Sequence, residues 1–202
     1  MNVKHHWLWK LVFEDESALG WIIHLCLAFI IIKFLVYPLL GWILGTSYPI
    51  VAVVSCSMDH RGDFDGWWSS PSVEGTQAEF YSKYGITKEG FRQFPLKNGF
   101  KKGDLMVLRG AKDVQQGNVI VFFSQYSREP IIHRVVDREE GVLITKGDAN
   151  RASDPKLDRA YDNQVLGKTL LRIPFAGWLK VGLIKGWCLI GGPEEVCAAQ
   201  TC

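Results

Sequence analysis

The longest apolar run of the chain lies near its N-terminus, over residues 19–45, and is broken only by His24, Lys33 and Pro38. At about 1.5 Å per residue, a helix of this length can cross a hydrocarbon core of about 30 Å. The run is longer than the apolar part of a cleaved signal peptide, and no small-x-small cleavage site ends it. We therefore predict a transmembrane anchor at residues 19–45.

A short polar and aromatic segment, residues 1–18, precedes this anchor. It carries Lys4 and Lys10, whereas only Arg61 follows the anchor closely. Because loops rich in lysine and arginine stay on the cytoplasmic side, the pattern favours a cytoplasmic N-terminus. The rest of the chain is then expected outside the cytoplasm.

The pattern beyond the anchor changes to short β-type runs. The β-branched run Ile50–Val54 predicts a strand that ends at a turn of small residues. Similar runs with glycine turn signals follow at residues 105–110, 119–123, 130–139 and 142–148. Short strands at this spacing are typical of an antiparallel, barrel-like sheet, so we predict a mainly β domain over residues 46–174.

Residues 59–100 interrupt this domain as an insert rich in glycine, serine and aromatic residues, without sustained alternation. The composition predicts a loop with one or two helical turns around residues 76–84. Trp67 and Trp68 in the insert have two open interpretations: they dip into lipid headgroups, or they cover a small satellite core.

Near the C-terminus, the apolar run from Leu166 to Gly192 is broken by Lys180 and Lys185. This favours a helix along the membrane surface, although a second span stays an alternative. We assign residues 175–202 to a membrane-associated segment. It holds three cysteines, of which two could form a disulfide, and the sequence does not select the pair: Cys188, Cys197 and Cys202.

Composition narrows the function classes. The chain of 202 residues has 23 Lys and Arg against 21 Asp and Glu, so it lacks the basic surplus of a nucleic-acid-binding protein. Its five cysteines form no Cys-x-x-Cys pair and no His/Cys cluster with zinc-ligand spacing. We therefore expect no nucleic acid partner, no metal site and no cofactor.

The polar residues next to the predicted strands are candidates for chemistry. Ser57 follows the first strand in its turn, with Ser55 two residues earlier, and His133 is embedded in an apolar strand. A serine nucleophile needs a base, and the base needs an orienting group such as Asp148 or Asp154. Each signal has an ordinary structural explanation, because serines end many strands and a strand histidine is commonly a hydrogen-bonded core residue.

Taken in order, four stretches resemble the conserved boxes of type I signal peptidases, over residues 20–190: SCSM, GDLMVL, IIHRVV and KGDANRASD. A histidine, His133, stands where the bacterial branch has lysine, so the chain resembles the archaeal and endoplasmic-reticulum type. The resemblance implies a signal-peptidase-like β domain, with Ser57 as nucleophile and His133 as general base. It also implies that Asp154 orients His133, that Asp148 has a supporting role, and that Ser55 donates to the oxyanion.

The implied activity is that of a serine endopeptidase in the cell membrane, which removes signal peptides from exported preproteins after small-x-small sites. Its partners would be the preproteins, the lipid bilayer and the secretion translocon. An extended substrate is expected between the strand Val51–Val54 and the strand that leads to His133.

Two alternatives remain open at this point. The first is a membrane-tethered module of the same fold that binds peptides without cutting them. The second is a thiol protease with Cys56 as nucleophile, where the family commonly has glycine. It is disfavoured because side chains at neighbouring strand positions, such as Cys56 and Ser57, point to opposite faces.

Overall fold

The computed structural model describes residues 17–73, 75–191 and 197, and divides the chain into two compact units, Met1–Ile43 and Leu44–Cys202. Most of the predicted segment 1–18 therefore lies outside the described residues. Helix α1, Ala18–Leu44, begins at Ser17, whose hydroxyl accepts a hydrogen bond from the Gly20 N–H. Its length and composition are sufficient to cross a membrane, with a mean hydropathy of 2.4.

The middle of α1 widens into a π-helical turn, Ile32–Val36, where the Tyr37 N–H donates to the Ile32 carbonyl. Pro38 follows directly, and since proline has no N–H it cannot continue the α-helical hydrogen-bond pattern. Lys33 lies in this turn with its ammonium over the rings of Phe29 and Phe34.

Among the described residues of the second unit, seven strands form one antiparallel sheet in the order β1-β4-β9-β5-β6-β7-β8, curled into a half-barrel. The predicted mainly β, antiparallel fold class is confirmed. The strands are β1 (Ile50–Ala52), β4 (Leu105–Arg109), β5 (Val119–Phe122), β6 (Ile131–Glu139), β7 (Val142–Lys146), β8 (Arg159–Tyr161) and β9 (Val165–Ile173).

Residues 165–173 lie inside the predicted β domain, 46–174, but strand β9 itself was not predicted, because residues 166–173 were joined to the apolar run of the C-terminal helix. Residues 165–173 pair with both β4 and β5 near the centre of the sheet. The helix begins later, as α5, Trp178–Leu189. The error has a physical cause, because Leu170 and Leu171 on β9 are exposed and continue the apolar run of the helix without a break.

The insert, residues 59–100, packs against β6 and β7 at Val136 and Ile144. It contains a two-residue hairpin, β2 (Pro71–Ser72) with β3 (Gly75–Thr76), and the helices α2 (Phe64–Trp68), α3 (Gln77–Ser82) and α4 (Lys88–Phe91). Trp67 and Trp68 are 3% and 7% exposed and pack in an aromatic cluster with Val136 and Ile144 of the sheet. The satellite-core interpretation of the two tryptophans is therefore correct.

Helix α5 is attached to the β domain along one side. Val181 is fully buried, and Trp178 packs directly against Gly103. Cys188 pairs with Cys197, which answers the question of pairing left open by the sequence, while Cys202 lies outside the described residues.

Candidate active site

Ser57 is presented by the turn that follows β1. The main chain continues the pairing past the strand, since the Val53 N–H donates to the Asp104 carbonyl. It then reverses, with a hydrogen bond from the Asp59 N–H to the Cys56 carbonyl. The turn is fixed by Met58, which is 1% exposed in the barrel core, so Ser57 remains half-buried at the rim.

His133 lies in the buried part of β6, opposite Ile120 of β5, and is 7% exposed. A buried imidazole needs hydrogen-bond partners, and Nδ1 of His133 lies 2.5 Å from Oδ1 of Asp158. Because an ionised carboxylate can only accept, Nδ1 carries the proton. This contact orients the ring and leaves Nε2 as the nitrogen that can accept a proton.

Asp158, rather than Asp154, is the carboxylate that holds His133. Asp158 is 1% exposed, and its second oxygen, Oδ2, accepts a hydrogen bond from the Asp154 N–H at 2.7 Å. The Asp154 carboxylate instead accepts from the N–H groups of Lys156 and Leu157 and closes the turn between the two aspartates. The predicted orienting contact of Asp154 is therefore corrected: this turn directs the aspartate four residues later toward the imidazole.

The loop 147–151, with the sequence GDANR, contacts both Ser57 and His133, and we call it the acidic loop. The Ala149 N–H donates to the Ser57 carbonyl at 2.7 Å. A Cβ atom placed on Gly147 would lie 2.8 Å from the Ser57 carbonyl oxygen and 2.8 Å from Nε2 of His133. The two groups are therefore neighbours across Gly147, where only glycine leaves enough space.

A cavity of about 450 Å³ opens at this point. Ser55, Ser57, His133, Asp154 and Asp158 all line it, so the structure brings four of the five predicted site residues together with the one that was missed. The Ser55 hydroxyl lies 3.3 Å from the Ser57 hydroxyl, within hydrogen-bond reach. The apolar walls come from β1, its continuation and β6, as expected for the substrate groove: Val51, Ala52, Val54, Ile131 and Ile132.

Asp148, the fifth predicted residue, is held by the insert and by β6. Its buried carboxylate receives hydrogen bonds from the Arg134 guanidinium at 2.7 and 2.9 Å, from Tyr81 at 3.1 Å and from His60 at 3.0 Å. Burial by itself raises the pKa of Asp148, but the Arg134 charge and these hydrogen bonds outweigh it and hold the pKa well below its usual range. This geometry gives Asp148 a supporting position.

Two buried cations next to this carboxylate were not found from the sequence. Arg134 is fully buried and donates to the carbonyls of Pro95, Leu96 and Gly117. Lys146 lies opposite Arg134 in the β6–β7 pairing, and burial lowers its pKa to about 8, although Asp148 and Asp158 raise it. A charged residue inside an apolar strand was the available signal for both.

Cys56 takes part in a disulfide bond. A disulfide sulfur is not a thiolate, so Cys56 cannot act as nucleophile in this form. The thiol alternative therefore loses its support.

Comparison with known proteins gives this geometry a context. No family model matches the chain. Over 98 residues it is 31% identical to the signal peptidase complex catalytic subunit SEC11 of Colletotrichum graminicola, and over 99 residues it is 36% identical to the subunit of the same name from Pyrenophora tritici-repentis. The subunit from Pyricularia oryzae is 31% identical over 100 residues. The chain is similar to these signal peptidase subunits over this part of its length.

The resemblance to type I signal peptidases of the serine–histidine type is thereby confirmed. The aligned parts cover 43% of this chain and 57% of the signal peptidase subunits from Colletotrichum and Pyrenophora. The chain thus spans just over half the length of these relatives.

Proposed function

We propose that the protein is a membrane-bound serine endopeptidase that removes signal peptides from exported preproteins. One observation carries the proposal: Ser57 and the His133–Asp158 pair share one cavity whose apolar walls come from β1 and β6. The names of the homologous subunits support the same reaction and the same substrate class.

In the proposed reaction, the Ser57 hydroxyl attacks the scissile carbonyl while Nε2 of His133 accepts its proton. Asp158 holds the imidazole through Nδ1 and stabilises its charged form. The tetrahedral intermediate collapses as the C–N bond breaks, and His133 returns the proton to the departing amine. A water molecule, deprotonated by the same histidine, then hydrolyses the acyl-Ser57 ester.

The oxyanion of the intermediate needs donors. We assign this role to the Ser57 N–H and to the Ser55 hydroxyl, which lies 3.3 Å from the nucleophilic oxygen. Loss of one such donor typically slows acyl transfer by about 100- to 1,000-fold.

The substrate is proposed to bind as an extended strand. Strand β1 is at the edge of the sheet, so its free side can pair with a peptide backbone. The walls of Val51, Val54 and Ile132 enclose a cavity of about 450 Å³, which suits small apolar side chains before the cleaved bond.

We further propose a single-pass arrangement, with α1 in the membrane, the N-terminus in the cytoplasm and the β domain on the opposite side. Ser57 follows α1 by only about a dozen residues, a reach of at most roughly 45 Å in extended chain. This keeps the serine close to the membrane from which a preprotein emerges. The relatives are named as subunits of a complex, so we expect partner subunits, with the translocon as a further contact. The cell-membrane location stays a prediction.

The test is cleavage of a preprotein with alanine at both small positions, by the full chain in liposomes. Wild type should cut at the small-x-small site, and Ser57→Ala and His133→Ala should each lose cleavage while remaining folded and inserted. Cys26→Ser, a change in the anchor, is the matched control and should keep full activity.

Cleavage retained by Ser57→Ala would contradict its role as nucleophile. Saturable peptide binding by folded wild type, without product over hours, would instead favour the binding module.

A further inference from the structure

The insert contacts the candidate active site through the acidic loop. Main-chain carbonyls of this loop receive hydrogen bonds from the insert, one after another. The Asp148 carbonyl accepts from the Trp67 indole at 2.9 Å, and the Arg151 carbonyl accepts from the Ser72 hydroxyl at 2.7 Å and the Val73 N–H at 3.0 Å. The insert is therefore built onto the loop and fixes its backbone.

The other side of the same loop touches the reacting groups. It holds the Ser57 carbonyl through the Ala149 N–H, and Gly147 lies against Nε2 of His133. The Asn150 side-chain amide reaches the same point, 2.8 Å from the position of a Gly147 Cβ, and Asn150 lines the cavity. A shift of the loop would therefore move Ser57, His133 and Asn150 relative to one another.

Gln77, at the start of α3, connects Lys146, the residue before this loop, to Asn150 within it. Its Oε1 accepts from the Lys146 ammonium at 2.8 Å, and its Nε2 donates to the Asn150 carbonyl at 3.0 Å. The amide has one orientation that satisfies both partners, because an ammonium only donates and a carbonyl only accepts. Gln77 is 1% exposed, so water does not replace these bonds if they are lost.

We propose that Gln77 is a positioning residue for the reaction, through which the insert sets the geometry of Ser57 and His133. The proposal rests on the proposed function in one respect: the reaction it assists is the one assigned to Ser57. Gln77 acts through the acidic loop, while the substrate groove is formed by β1 and β6, so its loss should affect the chemical step and leave peptide binding unchanged.

The variants are Gln77→Met, which keeps the length but loses both hydrogen bonds, and Gln77→Glu, which keeps the acceptor for Lys146 and loses the donor to Asn150. Gln116→Met is the matched control. The Gln116 amide also joins the insert to the sheet, by donating to the carbonyls of Tyr84 and Val136, but away from the acidic loop.

Two readouts on the full chain are needed. The first is kcat and KM for the preprotein peptide, measured well below the unfolding temperature. We expect both Gln77 variants to lower kcat at least tenfold with KM within twofold of wild type, and Gln116→Met to change neither. The second is the NMR signal of the His133 Nδ1 proton, which should shift in the Gln77 variants and stay in place in Gln116→Met.

Unchanged kcat with an unchanged proton signal would overturn the proposal, and so would equal losses in Gln77→Met and Gln116→Met. A raised KM at constant kcat would overturn it as well, since it would place Gln77 in peptide binding. If wild type does not cleave but the proton signal responds to Gln77→Met alone, the proposed function fails and the positioning of His133 by Gln77 stands.

Discussion

At the scale of single residues, the candidate site depends on the absence of a side chain at Gly147 as much as on the side chains that line the cavity. The main chain at Gly147 passes between the Ser57 carbonyl and the His133 ring, and a Cβ there would lie 2.8 Å from each. Atoms at this separation must move: the Asn150 amide, also 2.8 Å away, belongs to a flexible side chain, but the other two neighbours are a backbone carbonyl and a buried ring. This makes Gly147 a sensitive position for activity.

We predict that Gly147→Ala lowers kcat by about 100-fold or more, because a displacement of about 1 Å in reacting groups has effects of this size. Gly182→Ala on α5 is the control, since a Cβ there meets no atom within 4 Å. Preprotein cleavage by both variants checks the prediction. Wild-type activity in Gly147→Ala would show that the contact is relieved without moving His133.

The two aspartates of the 154–158 turn should differ in effect. Asp158→Asn places an amide beside Nδ1 of His133 and favours the wrong tautomer, so we expect kcat to fall by about 1,000-fold or more. Asp154→Asn keeps an oxygen that can accept from Lys156 and Leu157, so we expect less than a tenfold change. Comparison of kcat for the two variants separates the roles. A larger fall in kcat for Asp154→Asn than for Asp158→Asn would restore Asp154 as the orienting group.

Local pattern singled out candidate residues where it is broken, and the resemblance to type I signal peptidases supplied their expected roles. His133 is a polar residue in an apolar strand, and Ser57 ends a β-branched run, so both could be selected. Asp158 could not, because it lies beyond the conserved stretch and its contact depends on how the turn from Asp154 folds back. Gln77 could not be selected from the sequence either, since its partners Lys146 and Asn150 are about 70 residues away along the chain.

At the scale of elements, local pattern predicted five strands, each a short β-type run next to turn signals: β1, β4, β5, β6 and β7. It failed for β9, whose partners β4 and β5 are dozens of residues earlier and whose leucines are exposed.

Helix α5 is also largely exposed, and its one buried residue is Val181. Apolar side chains at helical spacing face outward: Leu179, Leu183, Trp187 and Ile190. Such a face, next to Lys180 and Lys185, is typical of a helix at a membrane interface.

We predict that Leu183 enters the lipid interface when the full chain is in liposomes. In a Cys26→Ser background, a polarity-sensitive dye on Leu183→Cys should emit at shorter wavelength than the same dye on Lys180→Cys, and brominated lipids should quench it. Equal emission and equal quenching at the two positions would contradict an interfacial α5.

At the scale of the whole molecule, the insert and the β domain meet at buried charges. Arg134 and Lys146 flank Asp148 within a shell of aromatic rings, with the Arg134 guanidinium 4.6 Å from the Phe91 centroid and the Lys146 ammonium 4.9 Å from that of Phe80. Removing one charge of such a group leaves another buried charge without its partner. Gain or loss of a proton has the same effect, so the free energy of unfolding should depend on pH.

Lys146 makes this dependence measurable. Burial lowers its pKa to about 8 from 10.5, so between these values the unfolded chain binds more protons than the folded one. The free energy of unfolding should therefore gain a contribution as pH rises through this window, by about 1.4 kcal/mol per unit. The measurement is urea unfolding in detergent of wild type and Lys146→Met, both in a Cys26→Ser background. The free energy of unfolding of wild type, relative to that of Lys146→Met, should increase by about 2–3 kcal/mol from pH 7.5 to 10. A difference independent of pH would contradict the lowered pKa.

The position of β9 in the sheet has a consequence for the order of events in synthesis. It lies between β4 and β5, so it connects the half that leads to Ser57 with the half that carries His133. In a nascent chain whose residues 165–173 are still in the ribosome, we expect Ser57 and His133 to belong to two half-sheets that are not yet paired with each other. We therefore expect Ser57 and His133 to come together only after residues 165–173 have left the ribosome.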